Sequence, residues 1–274
     1  QYNVAIGHQA MYTETQGDKS TAVGYQALKT QNGVNGDVHN TAAGYKAGTA
    51  ITTGTANTLV GSEVAQNMTT GKENVAIGNG ALNDSQAASG SVIIGQNAGR
   101  NISTGHQNIA IGLDAMNGGT TTGDNNIAIG TNAGDALTSG HSNVAVGKDS
   151  QGGNTTGQFN TSIGHHSMLV HDGGLRNVAI GAFAMDDTDA GSVSKASDDC
   201  VFIGYSAGGG TWANQDCSNM IGIGTSALAG ALEGNTADGS IAIGTEALTA
   251  NTSGYYNTAI GYESLKANQT GAAN

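Results

Sequence analysis

The sequence contains no proline, few aromatic residues (4%) and few charged residues (11%) among its 274 positions. The lack of proline excludes a collagen-like helix, which needs proline together with glycine at every third position. The low charge density excludes disorder that is driven by charge. A large layered enzyme normally carries more Leu, Phe and Trp to fill its core. No run of eighteen apolar residues occurs, so the sequence predicts no membrane-spanning helix.

Positive charge is also scarce, with 9 Lys and Arg residues against 21 Asp and Glu residues and a formal net charge of −12. Nucleic-acid binding needs clustered Lys and Arg, and docking on an anionic membrane needs the same. We therefore expect neither partner. The negative charge is typical of a protein that stays in solution.

Glycine is abundant (45 residues) because the sequence is built from one repeat, Asn-x-Ala-Ile-Gly-x-x-Ala-Leu. We number each repeat from its central glycine, position 0. Nine of the fourteen intervals between these glycines have the same length, that of the interval from Gly61 to Gly78, and the other five are longer. The fifteen copies centre on Gly7, Gly24, Gly44, Gly61, Gly78, Gly95, Gly112, Gly130, Gly147, Gly164, Gly181, Gly204, Gly224, Gly244 and Gly261. A fixed period with occasional insertions predicts an all-β solenoid of about fifteen short coils. We treat residues 1–274 as one repeat array, a segment of a longer fibre.

Each coil is expected to contain a short strand at positions −4 to −1, ended by the glycine. A Thr-Gly or Ser-Gly pair near position +10 predicts a second corner. Val, Ile or Thr at −3 and Ile at −1 share one face of the strand, and we expect these side chains to form the buried ladder. Alanine at −2 and +3 would then lie on the flanks, where identical rods pack together. Ala76, Ala110, Ala128, Ala145 and Ala179 are expected in such contacts between chains.

The repeats resemble two known families. Residues 3–7, 74–78 and 143–147 resemble the head repeats of YadA-like trimeric autotransporter adhesins. Residues 257–265 with 268–271 are more similar to the 17-residue repeats of phage tail fibres and related bacterial surface fibres. The resemblance implies a left-handed parallel β-roll that assembles as a homotrimer. It also implies an extracellular cell-surface or virion tail fibre, which binds a host surface glycan or protein.

Three functions follow as hypotheses. The first is a rigid structural and adhesive fibre segment for receptor or host attachment. The second is a self-assembling filament subunit whose coils stack end to end. The third is an ice-binding solenoid, because threonine recurs at one corner, although Gln16, Ala87, Ala190 and Glu233 interrupt the series. The recurring residues are Thr53, Thr70, Thr104, Thr122, Thr156 and Thr270.

We predict no enzyme and no cofactor, since neither G-x-S-x-G nor H-E-x-x-H occurs and no paired carboxylates fall in register. His165 and His166, with His171 and Asp172, are the histidine-rich candidates for a metal site. Solvated loop residues are the preferred interpretation.

The interval between Gly181 and Gly204 is the longest in the array and predicts the largest loop. Its carboxylates suggest calcium, but their spacing fits no standard calcium loop, so no metal site is predicted. They are Asp186, Asp187, Asp189, Asp198 and Asp199.

Cys200 and Cys217 are separated by one nominal coil, the same spacing as that of Gly61 and Gly78. Residues one coil apart stack at about 4.8 Å, within the Cα separation that a disulfide accepts. We predict a disulfide, which suits an extracellular location. A pair of reduced buried thiols is the alternative.

Aromatic residues recur at position +1, where Tyr25, Tyr45, Tyr205 and Tyr262 lie, and Trp212 follows in a loop. These rings could face a glycan ligand, or they could stack as a ladder between coils. Glycosylation is a further possibility, since seven Asn-x-Ser/Thr sequons occur. Their asparagines are Asn67, Asn83, Asn101, Asn154, Asn160, Asn251 and Asn268.

Overall fold

The computed structural model describes residues 2–32, 36–187, 197–212, 218–230 and 238–274. The chain is all-β, and parallel strands stack into a β-solenoid of about 14 turns with roughly 17 residues each. This confirms the fold class that the repeat predicts. The described residues include no helix with the length and hydropathy of a membrane-spanning segment. The chain comprises two compact units, Gln1–Asn132 and Ala133–Asn274.

In the first unit, one short parallel strand per coil forms the main sheet. Each strand residue pairs with the equivalent residue one coil further on, as Ala110 does with Ala128. A two-residue pair, β2 with β4, and an isolated bridge between Ile102 and Thr121 mark a second edge. The strands are β1 (Val4–Ile6), β2 (Gly17–Asp18), β3 (Thr21–Val23), β4 (Gly36–Asp37), β5 (Thr41–Ala43), β6 (Thr58–Val60), β7 (Val75–Ile77), β8 (Val92–Ile94), β9 (Ile109–Ile111) and β10 (Ile127–Ile129).

The second unit follows the same plan, and each strand again ends at the residue before a repeat glycine. The pairing keeps its register across the insertions, so Ala179 pairs with Phe202 across the longest interval of the array. The strands are β11 (Val144–Val146), β12 (Thr161–Ile163), β13 (Val178–Ile180), β14 (Val201–Ile203), β15 (Ile221–Ile223), β16 (Ile241–Ile243) and β17 (Thr258–Ile260). The predicted strand positions are therefore confirmed.

The two faces of these strands are reversed from the prediction. The residue at −2 points into the coil, and Ala76, Ala110 and Ala179 are completely buried within one chain. The residues at −3 and −1 point outward, and none of them is buried. The prediction that −3 and −1 form the buried ladder was wrong, and so was the placement of the −2 alanines between chains. The coil is thin, and its interior accommodates small side chains at most positions.

Glycine at position 0 allows the coils to stack closely. Gly95 has a φ of +139°, and a Cβ atom built on it would lie 2.3 Å from the carbonyl oxygen of Gly112 in the next coil. Any side chain there would clash with the backbone, in a conformation that L-residues rarely adopt. The repeat glycine is thus needed for both its φ and its lack of a Cβ.

Some of the larger side chains inside the coil lie directly beside a glycine. A Cβ on Gly48, at position +4, would lie 2.8 Å from Leu59 Cδ1. Phe202 replaces alanine at −2, and Cβ atoms on Gly208 and Gly222 would lie 2.6 and 2.5 Å from its ring. At these places the missing glycine side chain leaves the space that a larger neighbouring side chain fills.

Asparagine at position −4 forms a buried ladder. Asn57 Nδ2 donates to the carbonyl oxygen of Gly71 at 2.9 Å, and Asn57 N donates to Asn40 Oδ1 at 2.9 Å. In the second unit, Asn160 Nδ2 donates to Gly174 O at 2.6 Å, and its N–H donates to Asn143 Oδ1. Each side chain thus closes its own coil and bonds to the neighbouring one.

Candidate functional site

In each unit the outward residues at −3 and −1 form an apolar surface, which we call the outer stripe. All thirty are Val, Ile, Thr or Ala, so the outer stripe contains no charge. In the first unit Ile77 is 37% and Ile129 is 36% exposed, and in the second unit Ile163 is 39% exposed. Complete burial of such a side chain contributes about 1.5–3 kcal/mol, and a single chain leaves roughly a third of that contribution unused because about a third of each residue remains exposed.

A second surface begins beside each repeat glycine, at positions +1 and +2. In the first unit His8 stacks on Tyr25 with ring centroids 5.3 Å apart, and Tyr25 stacks on Tyr45 at 5.4 Å. Both tyrosines remain almost half exposed, and Lys46 Nζ lies 5.2 Å from the Tyr45 ring centroid. The rings thus stack between coils and also present their edges to solvent.

In the second unit the predicted aromatic residues separate into two environments. Tyr205 and Tyr262 are exposed, and a hydrogen bond to Glu263 raises the pKa of Tyr262. Trp212 is completely buried, with its ring centroid 5.6 Å from that of Phe202 in an edge-to-face contact. Its prediction as a ligand-facing residue was wrong, because the indole serves to fill the coil interior.

The predicted histidine group is divided by the fold. His165 and His166 lie on the surface, with their rings stacked at 3.9 Å. They are joined by Asp149, whose Oδ2 lies 3.3 Å from His166 Nε2. His171 is instead fully buried, where its Nε2 accepts a hydrogen bond from Asn177 Nδ2 at 3.2 Å. Loss of water lowers the pKa of His171 to about 4, so its ring is neutral.

The sequence analysis did not group Asp149 with the histidines, although its position in the repeat indicates that it should. Asp149 and His166 both occupy position +2, in consecutive coils. Both adopt positive φ, +54° and +55°. A comparison of equivalent positions one repeat apart would have paired them, whereas a search for nearby residues along the chain did not.

The acidic residues of the interval between Gly181 and Gly204 form no shared carboxylate cluster in the part of the chain that the structure describes. Asp199 makes a two-pronged ion pair with Arg176 at 2.6 and 2.7 Å, which lowers its pKa. Asp198 Oδ1 accepts the Leu175 N–H at 2.7 Å. Asp187 accepts a hydrogen bond from Thr211, and burial raises the pKa of its neighbour Asp186. Asp189 lies outside the described residues, as does most of the predicted loop.

Cys200 is completely buried at position −4, where most repeats have asparagine. Cys217 lies outside the described residues, so the disulfide stays a prediction.

The sequon asparagines differ sharply in exposure. Asn67 is exposed, and Asn101 and Asn268 are half-buried. Asn83 is 7% exposed, whereas Asn154, Asn160 and Asn251 are completely buried. The folded coil therefore exposes Asn67, leaves Asn101 and Asn268 partly accessible, and encloses the side chains of the other four.

No protein-family model matches the chain, and no curated protein matches its sequence. The outer stripe and the residues at +1 and +2 are therefore the features of the chain that indicate a function.

Proposed function

We propose that this chain is a structural and adhesive fibre segment, which assembles as a homotrimer through its outer stripe and presents an exposed aromatic surface for attachment. The outer stripe is the observation that carries the proposal. The extracellular location and the number of three chains rest on the family resemblance.

The chemistry of the coil supports burial of the outer stripe against another copy. Hydrogen bonds between coils and the asparagine ladder satisfy most of the buried polar groups, whereas each unit leaves an outward apolar surface uncovered. Soluble monomers rarely expose long contiguous apolar patches, and such patches mark interaction sites. Because the outer stripe has no charge, copies of it can meet without like-charge repulsion despite the net charge of −12.

Attachment is assigned to the tyrosines at position +1. Tyr25 and Tyr45 are 42% and 46% exposed while their rings stack in parallel. Stacked neighbours hold the rings in place, which lowers the entropy cost of binding. Aromatic surfaces of this kind suit the apolar faces of sugar rings, and a host surface glycan or protein is the proposed partner.

Light scattering on purified protein tests the assembly. We expect a mass three times the chain mass of 27.1 kDa. Ile77→Ser, Ile94→Ser and Ile111→Ser together remove the centre of the outer stripe in the first unit. This triple variant should lower the mass and retain the β-type circular dichroism spectrum. Leu113→Ser is the matched control, because Leu113 is 45% exposed but lies outside the outer stripe.

A monomeric wild-type chain that folds normally would contradict the trimer. Long uniform filaments in negative-stain microscopy would instead support the end-to-end filament subunit.

An ice-binding function has one supporting observation. Thr53, Thr70, Thr104 and Thr122 are all exposed at the same corner of the first unit. Ala87 interrupts their row, which weakens a flat threonine array. Measured thermal hysteresis that is lost in Thr70→Val would favour this alternative.

A further inference from the structure

We propose that Asp149, His165 and His166 form a binding site for a divalent late first-row transition metal ion, with Zn²⁺ as the probe. The proposal is independent of the oligomeric state, because one chain supplies all three side chains.

The coil geometry brings the three ligand atoms together. Asp149 and His166 occupy the same position in consecutive coils, and His165 is the neighbour of His166 at position +1. One ligand atom from each residue lies within 4.8 Å of the other two. Tetrahedral zinc with bonds of about 2.0–2.2 Å places its ligand atoms roughly 3.3–3.6 Å apart. The observed limit of 4.8 Å is wider, and the two imidazole rings are stacked with an interplanar angle of 19°. At least one ring must therefore rotate before both can bind the same ion.

The surroundings hold the imidazoles and leave one side open. Phe183, in the following coil, meets both rings edge-on, with centroids 5.4 Å from His165 and 5.3 Å from His166. The side chains of Asp149 and His166 are 15% and 28% exposed, and His165 is exposed. Water or another ligand can complete the coordination from the solvent side.

The Asp149 carboxylate already forms an ion pair with a solvent-exposed lysine. Lys148 Nζ lies 2.8 Å from Asp149 Oδ2, and the lysine side chain is 58% exposed. A divalent metal ion can displace this ammonium group, which then moves into solvent without a buried charge being left unpaired.

The donor set selects the class of metal. Imidazole nitrogen suits Zn²⁺, Cu²⁺ and Ni²⁺, whereas Mg²⁺ and Ca²⁺ prefer sites made entirely of oxygen. His39 provides an internal comparison, because it lies 3.5 Å from Asp37, and Lys19 also contacts that carboxylate at 2.6 Å. This second group has a histidine, an aspartate and a lysine but no neighbouring imidazole.

Calorimetric titration of tag-free chain with ZnCl₂ tests the site, with folding monitored by circular dichroism. We expect one Zn²⁺ per chain, a rise in melting temperature with zinc, and no comparable binding of Mg²⁺. His166→Asn, Asp149→Asn and His165→Ala should each weaken Zn²⁺ binding at least tenfold. Asparagine is chosen at positions 149 and 166 because it tolerates positive φ.

His39→Ala is the matched control and should leave the affinity unchanged. Equal Zn²⁺ binding by wild type and the three site variants would overturn the proposal, as would equal affinity for Mg²⁺. Loss of binding in His39→Ala with retention in His165→Ala would assign the zinc to the other group.

Discussion

The side-chain oxygen of Asn57 accepts two hydrogen bonds from Asn74, one coil further along the solenoid. The main-chain N–H of Asn74 donates at 3.1 Å and its Nδ2 donates at 3.0 Å. Asn74 Nδ2 also donates to Ala88 O at 2.8 Å. Both asparagines are completely buried, so this relationship links adjacent coils and closes each of them.

Asn74→Ala should therefore destabilise the fold. Its loss leaves Ala88 O without that buried donor, and an unsatisfied buried group costs about 1–3 kcal/mol.

Urea unfolding measures the effect of Asn74→Ala on the free energy of unfolding. Asn79→Ala is the control, because Asn79 is exposed, and its effect should stay within about 0.5 kcal/mol. Asn74→Ser should be intermediate, since Ser91 occupies the same position and accepts the Asn108 N–H at 3.2 Å. Equal free energies of unfolding for Asn74→Ala and wild type would show that the asparagine ladder does not stabilise the fold.

Alanine substitutions at two glycines in consecutive coils distinguish the cost of a steric clash from the cost of backbone strain. Gly244 and Gly261 both have positive φ, +136° and +125°. A Cβ on Gly244 would lie 2.3 Å from Gly261 O, whereas a Cβ on Gly261 meets nothing within 4 Å. Gly244→Ala should lower the melting temperature much more than Gly261→Ala. Equal losses would mean that φ alone requires glycine at position 0.

The period, the strand positions and the absence of helix from the described residues were predictable because each repeat has the same spacing between a β-rich segment and a glycine. The face of each strand that points into the coil was not predictable. Alternation shows that Val75 and Ile77 share a face, but not which face points inward. The usual rule places the larger apolar residues inside. Here close stacking leaves room for Ala76, and the isoleucines point outward.

The candidate site was only partly predictable for a related reason. His165 and His166 were visible as neighbours, but their third partner is Asp149, a full coil away. The position of Asp149 depends on the positive φ at +2, and no glycine at that position indicates this conformation in the sequence. His171, close in sequence to His166, points into the coil instead. Residue spacing along the chain therefore grouped the wrong partners.

Ala110→Leu tests the corrected orientation of the strands. Ala110 is completely buried between Ile93 and Ala128 in the parallel ladder. Overpacking should cost about 1–3 kcal/mol, seen in chemical denaturation of each chain whatever its oligomeric state. Ile111→Leu, on the outer stripe, is the control of similar volume and should cost less than about 1.5 kcal/mol. A variant that dissociates without losing coil stability would restore the original placement of alanine between chains.

His171 should make stability depend on pH. Burial, the main cause, lowers its pKa in the folded chain from 6.5 to about 4. Between these values the unfolded chain binds a proton that the folded chain does not, so stability increases with pH. The contribution is fully present above about pH 6.5 and is lost as the pH falls towards 4, with a total of about 3 kcal/mol.

Equilibrium unfolding at pH 4.5 and pH 7.5 measures the difference. In His171→Asn this difference should shrink by most of that amount, whereas His106→Asn, at an exposed position, should retain it. An unchanged pH dependence in His171→Asn would show that the buried imidazole does not govern it.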